Sequence, residues 1–195
     1  GTHMVDLMRW GLGVEYPVSV RSGGGRYRYK DDWQTPDTQV ITWEFPNQTF
    51  MEWEGRSCNG HYIEGSPVGA AFYGETGTLV ITSGNDYKLY DLQNKLIREV
   101  KNEKAIDTRN TVDPSNNLDA LHIQNFFDSI RKGTPLNVEI AEGHKSTLLC
   151  QLGNIAVRAG NISLRTDKNN GHIIDNTEAQ KFWKRAYEPG WEPTL

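Results

Sequence analysis

The chain has 195 residues, enough for one sizeable hydrophobic core, and its 25 acidic and 21 basic side chains give a net charge of −4. Basic residues never run longer than two, which argues against a nucleic-acid partner. No apolar stretch approaches the roughly 18 residues that span a bilayer, and the first residues lack the charged-then-apolar pattern of an export signal. A cytoplasmic protein with neither a nucleic-acid nor a membrane partner is expected. Cys58 and Cys150 stand far apart, without CxxC or Cys/His spacing, so free thiols are expected rather than a metal site or a disulfide.

The opening stretch GTHMVDLMRW reads as a helix over residues 3–10, with Val5, Leu7, Met8 and Trp10 apolar around Asp6 and Arg9. His3 and Asp6 are spaced to share a face, so the carboxylate can orient or charge-stabilise an imidazole that exchanges protons near neutral pH. The same pair also fits a structural or surface role. GTHM matches a short cloning leader as well, but the unbroken helical pattern favours native sequence.

Residues 16–101 are rich in β-branched and aromatic side chains punctuated by glycine, the pattern of strands joined by short turns. Within them, residues 23–38 (GGGRYRYKDDWQTPDT) read as a polar loop in which Lys30, Asp31 and Trp33 combine charge with a stacking ring. That mixture suits a polyol or sugar, whose hydroxyls take paired donors and acceptors and whose carbon face packs on an aromatic ring. A solvated hairpin loop is the alternative. The glycines form no phosphate loop, since neither GxxxxGK[ST] nor GxGxxG is present.

TQVITWEF (38–45) and the run 49–55 alternate apolar and polar residues around Pro46-Asn47-Gln48, which predicts a hairpin. The polar stretch 54–67 then offers Arg56, with Asn59 beside it, as a clamp for a hydroxylated or anionic ligand; plain solvation is the competing reading. Two more hairpins follow, residues 68–74 with 77–84, and 87–92 with 95–100 around Gln93-Asn94.

Beyond Lys101 the period becomes helical. Ser115 is the expected cap of a helix with the stripe Ala120, Ile123, Phe127 and Ile130, Phe126 beside it, and a stop at Gly133 and Pro135. A second helix within 140–160 presents Leu148, Leu152, Ile155 and Ala159 and ends at Gly160. A short third opens with a capping-box pattern at Thr177 and Gln180. His122 and His144, beside apolar stripes, read as structural histidines, and His172 has no recognisable partner.

Strands first and helices later predict a single α+β domain over residues 1–195: an open, mainly antiparallel β-sheet with helices packed on one face. The opposite face, carrying several aromatics, is then a candidate homo-oligomer interface.

GTHMVDLMRWGLG with the later GGG and PDT resembles the start of the C-terminal domain of the glucose-fructose oxidoreductase/inositol dehydrogenase (Gfo/Idh/MocA) family. GAAFYGETGTLVI (69–81) resembles that family's strand-glycine-strand element, and HIQNFFDSIRKGTPLNV with EGHKSTLL resembles its closing helices. The resemblance implies a dehydrogenase acting on a sugar or polyol with NAD or NADP. Gly1, His3 and Asp6 match fixed family positions, which implies that His3 assists proton transfer from a substrate hydroxyl with Asp6 as its neighbour. The candidate substrate contacts are Lys30, Asp31, Trp33, Arg56 and Asn59. The family's leading aspartate, its E-K-P lysine and its Rossmann glycines are missing from these residues, so no cofactor is expected on this chain alone, and a missing or separate Rossmann domain is implied as partner. A non-catalytic carbohydrate-binding or dimerisation module, or part of an NAD-dependent glycosidase of the same family, are the alternatives.

Overall fold

The computed structural model describes residues 1–82, 86–101 and 116–193; Ser115, the expected helix cap, lies outside them. They divide into two compact units, one of Gly1–Gly60 with Lys145–Leu195 and the other of His61–His144.

The first unit begins with α1 (Thr2–Leu12), which buries Val5 and Met8. It stops at Gly13, whose left-handed backbone (φ 63°) closes the helix end as glycine does most easily. Strands β1 (Ser19–Gly25), β2 (Thr38–Glu44) and β3 (Phe50–Arg56) follow. The β2–β3 hairpin turns at the predicted residues, with the Phe45 N–H donating to Thr49 O at 2.9 Å. The glycine run read as loop is instead the end of β1, where Gly23, Gly24 and Gly25 pair with Val40, Gln39 and Thr38. A Cβ on Gly24 would stand 2.3 Å from Thr38 O, so this pairing needs glycine there.

The second unit holds the two other predicted hairpins as a four-stranded antiparallel meander: β4 (Ala70–Tyr73), β5 (Gly77–Ile81), β6 (Tyr87–Asp91) and β7 (Leu96–Val100). Helix α2 (Asn116–Lys132) also belongs to it. Its stripe was expected to pack on a sheet, yet Ile123, Phe126, Phe127 and Ile130 are exposed, and so is His122.

The chain returns to the first unit along α3 (Ile140–Arg158) and adds the short hairpin β8 (Ser163–Thr166) and β9 (Ile173–Ile174). The resulting sheet has the order β3-β2-β1-β8-β9, every pairing antiparallel. Thus α+β holds and both sheets are open, but the strands form two sheets rather than one. The last helix, α4 (Thr177–Gln180), is capped by Asn176, whose side chain accepts the Ala179 N–H at 2.8 Å, and not by Thr177. Gln180 donates to Ile173 O at 2.8 Å instead of reaching back to the cap.

Alternation on the five-stranded sheet buries Val20, Ile41, Trp43, Met51 and Leu164, and α3 buries Leu148, Leu149, Leu152, Ile155 and Ala156. His144, near the start of α3, is exposed rather than structural. Three observations put α3 over β2. A Cβ on Gly153 would lie 2.4 Å from Ile41 Cδ1, Trp43 Nε1 donates to Leu149 O at 3.1 Å, and the buried Gln39 donates to Ser22 Oγ at 3.0 Å and toward Gly153 O at 3.5 Å. Glycine at 153 permits the close approach, and the indole and amide satisfy their own buried N–H groups while tying helix to sheet.

Trp43→Ala removes the largest fully buried side chain and that tie, and should lower unfolding free energy by about 3–5 kcal/mol in urea titrations.

Candidate functional site

Gly25, Thr38 and Arg56 sit opposite one another across β1, β2 and β3. The loop 26–37 and the turn after β3 therefore leave the sheet at the same end. The antiparallel register alone produces this, whatever the loops contain.

Loop 26–37 is organised from inside by Asp37. Its buried carboxylate accepts the backbone N–H groups of Tyr27, Arg28 and Tyr29 at 3.2, 3.0 and 3.1 Å and the Thr38 hydroxyl at 3.0 Å. Burial pushes this carboxyl up, but the four hydrogen bonds outweigh it and bring it from the ordinary 3.8 down to about 2. Arg26 pairs with Asp31 and donates to Thr35 O at 3.3 Å, while Asp31 also accepts the Trp33 N–H at 3.0 Å. Asp31 thus shapes the loop. Lys30 is exposed at its tip, and Trp33 is 71% exposed.

In the adjoining turn, Arg56 Nε pairs with Glu54 at 2.8 Å, and the exposed Asn59 donates its N–H to Arg56 O at 3.2 Å. Cys58 Sγ lies 3.6 Å from Thr38 Oγ1, joining this turn to the start of β2. His61 and Glu64, from the same polar stretch, fall in the other unit.

Helix α1 begins at this end as well. A Cβ on Gly1 would stand 3.0 Å from Trp53 Cζ2, and one on Gly55 would stand 2.2 Å from Trp53 Cη2. The indole therefore lies close to both the start of α1 and the end of β3. His3, in the first turn, is exposed, and among the described residues no side chain bonds to it. The Asp6 carboxylate is turned to α3, where it accepts the Ser146 hydroxyl, and Arg9 Nε donates to the same hydroxyl at 2.7 Å. Thr2 Oγ1 lies 3.9 Å from Cys150 Sγ, and burial pushes that thiol up, making it a poor nucleophile.

Of the predicted residues, His3, Lys30, Asp31, Trp33, Arg56 and Asn59 are carried at one end of the sheet, while Asp6 belongs to the helix contact beneath. The anchoring role of Asp37 is not among the sequence expectations, although Pro36-Asp37 is turn chemistry that signals it. His172 does have a partner: its ring stacks on Trp183 at 4.5 Å, and with Ile173, Gln180 and Lys184 the two line a hollow of about 290 Å³ that holds no predicted site residue.

Among the described residues no group of three or more His, Cys, Asp or Glu converges to hold a metal ion, and no helix is long and apolar enough to cross a membrane. Nor is there, among the described residues, a cradle that fits a dinucleotide. Among these residues every strand pair is antiparallel, whereas dinucleotide sites sit at a glycine-rich turn between a parallel strand and a helix.

The first unit is thus an α+β layer with polar loops gathered at one sheet end, unlike a dinucleotide-binding α/β domain. A family model described as "Oxidoreductase family, C-terminal alpha/beta domain" matches residues 1–161, and the chain belongs to this Gfo/Idh/MocA type of oxidoreductase domain. A comparison with curated proteins gave no match. Among solved structures, an oxidoreductase from Agrobacterium radiobacter in complex with NAD+, L-tartaric acid and magnesium superposes with a TM-score of 0.60 and 15% identity, over 85% of this chain and 47% of that one. UDP-N-acetylglucosamine 3-dehydrogenase GnnA from Acidithiobacillus ferrooxidans gives 0.56 and 16%, over 81% and 45%. WlbA dehydrogenase from Bordetella pertussis, in complex with NADH and UDP-GlcNAcA, gives 0.52 and 16%, over 85% and 43%. At such identities the likeness is one of fold, and the chain spans less than half the length of each.

Because the Asp37 carboxyl is depressed, its contribution to stability is present above pH 3.8 and is lost as pH falls through about 2. The amide resonances of Tyr27, Arg28 and Tyr29 should titrate together with a midpoint near 2, and Asp37→Asn should abolish that titration and lower the melting temperature.

Proposed function

We propose that this chain is the substrate-binding domain of an NAD(P)-dependent oxidoreductase acting on a sugar or polyol, with the nicotinamide cofactor held by a domain outside these residues. The observation that carries the reading is the gathering at one sheet end of the exposed His3 turn and two polar loops. Trp33 offers a face for ring carbons, Lys30, Arg56 and Asn59 offer donors, and Asp31 offers an acceptor besides shaping its loop. His3 is the proton-transfer residue, accepting the hydroxyl proton as that carbon is oxidised. The NAD+ and NADH complexes and the UDP-sugar names among the structural relatives support the cofactor and substrate class.

The test is turnover of the longer protein, or of this chain supplied with its cofactor-binding partner, followed as NAD(P)H formation. His3→Ala should lower kcat by at least about a hundredfold, and Trp33→Ala and Arg56→Ala should mainly raise KM. Undiminished kcat in His3→Ala would sink the assignment.

A second role, self-association, is favoured by the charge pattern on the open face of the five-stranded sheet. Glu44, Glu52 and Glu54 face out from β2 and β3, and Arg21 and Arg165 from β1 and β8. On these strands Trp43 points into the core and Phe50 is exposed, so the attraction we propose is mainly electrostatic. A second copy, related by a two-fold axis, sets acidic edge against basic edge. Light scattering should show a dimer that Arg21→Glu weakens and that the double reversal Arg21→Glu/Glu52→Lys restores; a strict monomer at high concentration rules it out.

A further inference from the structure

Residues 3, 6 and 9 of α1 follow one another at intervals of three, so each is displaced about 60° around the helix axis from the one before. Two of the three are anchored on the same atom of a neighbouring helix. Ser146 Oγ of α3 donates to the Asp6 carboxylate and accepts from Arg9 Nε at 2.7 Å, and Arg9 also donates to Val14 O at 3.4 Å where the chain leaves the helix. Arg9 is 7% exposed and Ser146 3%. A hydroxyl has one proton and two lone pairs; here the proton serves the carboxylate and a lone pair serves the guanidinium. The link is buried, polar and satisfied at both partners, the condition under which such a network fixes geometry rather than merely adding stability.

We propose that Ser146 is a positioning residue for the proton-transfer site: by holding Asp6 and Arg9 it sets the rotation of α1 about its own axis and hence the direction in which His3 is presented. This rests on the reading of His3 given above. Asp6 then serves His3 not by touching the imidazole, as its spacing suggested, but through the helix both share. Without the Ser146 hydroxyl, the Asp6 carboxylate and Arg9 Nε both lose the atom of α3 that they share.

The test has two readouts. In this chain, residual dipolar couplings of the α1 amides, referred to those of α3, should change in Ser146→Ala and return in Ser146→Thr, which keeps the hydroxyl. In the longer protein Ser146→Ala should lower kcat at least about tenfold with KM within about twofold, and Ser146→Thr should recover most of the loss. Unchanged α1 couplings in a folded Ser146→Ala protein overturn the proposal, as does unchanged kcat in an enzyme that His3→Ala inactivates. Should Ser146→Ala not fold, Asp6→Asn, which weakens the same link, is read in the same way. An enzyme indifferent to His3→Ala defeats the functional reading instead, and the couplings then decide the positioning role alone.

Discussion

The contact between α3 and β2 at Gly153 and Ile41 is the constraint from which the first unit is built. A side chain on that helix position would collide with Ile41, so its absence sets how near the helix lies to the sheet. At that distance Trp43 reaches the Leu149 carbonyl and Gln39 reaches toward that of Gly153. These bonds fix the helix along its length as well as its height. With α3 fixed, Ser146 has a fixed place one turn before Leu149, and α1 is held to it through Asp6 and Arg9. The exposed His3 thus inherits its position from a glycine 150 residues later in the chain.

The polar end of the sheet depends on that core differently. Its two loops are brought together by strand register, since Gly25, Thr38 and Arg56 form one cross-strand row. Register is firm because a slip of one residue would turn Trp43 and Ile41 out of the core and Glu44 and Thr42 into it. Asp37 then converts a long polar excursion into a shaped loop by collecting three successive backbone N–H groups. Rigid support beneath and exposed rings and charges above are what a binding loop requires.

Much of this was legible in sequence because the signals were local. The three hairpins, the opening helix and α3 follow from alternation, turn residues and a glycine stop, and the family resemblance rested on the same stretches. What was not legible depended on partners far along the chain. The glycine run continues β1 because β2 accepts it as a strand, and β8 and β9 are too short to announce themselves before they add to β1. Asp6 was matched to His3 by spacing, yet its bond is to a residue 140 positions away. Thr177 and Gln180 fitted the capping pattern, but Asn176, one residue earlier, is the stronger cap and took the place. The stripe of α2 was correctly periodic and nevertheless exposed, since periodicity shows which side is apolar and not what covers it.

Ligand, we propose, is met at the β1–β2–β3 end of the first unit. Chemical-shift mapping of this chain's amides with D-glucose or myo-inositol, raised to saturation, tests it most directly. Perturbations concentrated in residues 26–33 and 56–59 and in the first turn of α1 are the predicted result. Shifts confined elsewhere, to the His172–Trp183 hollow or the open sheet face, would contradict it.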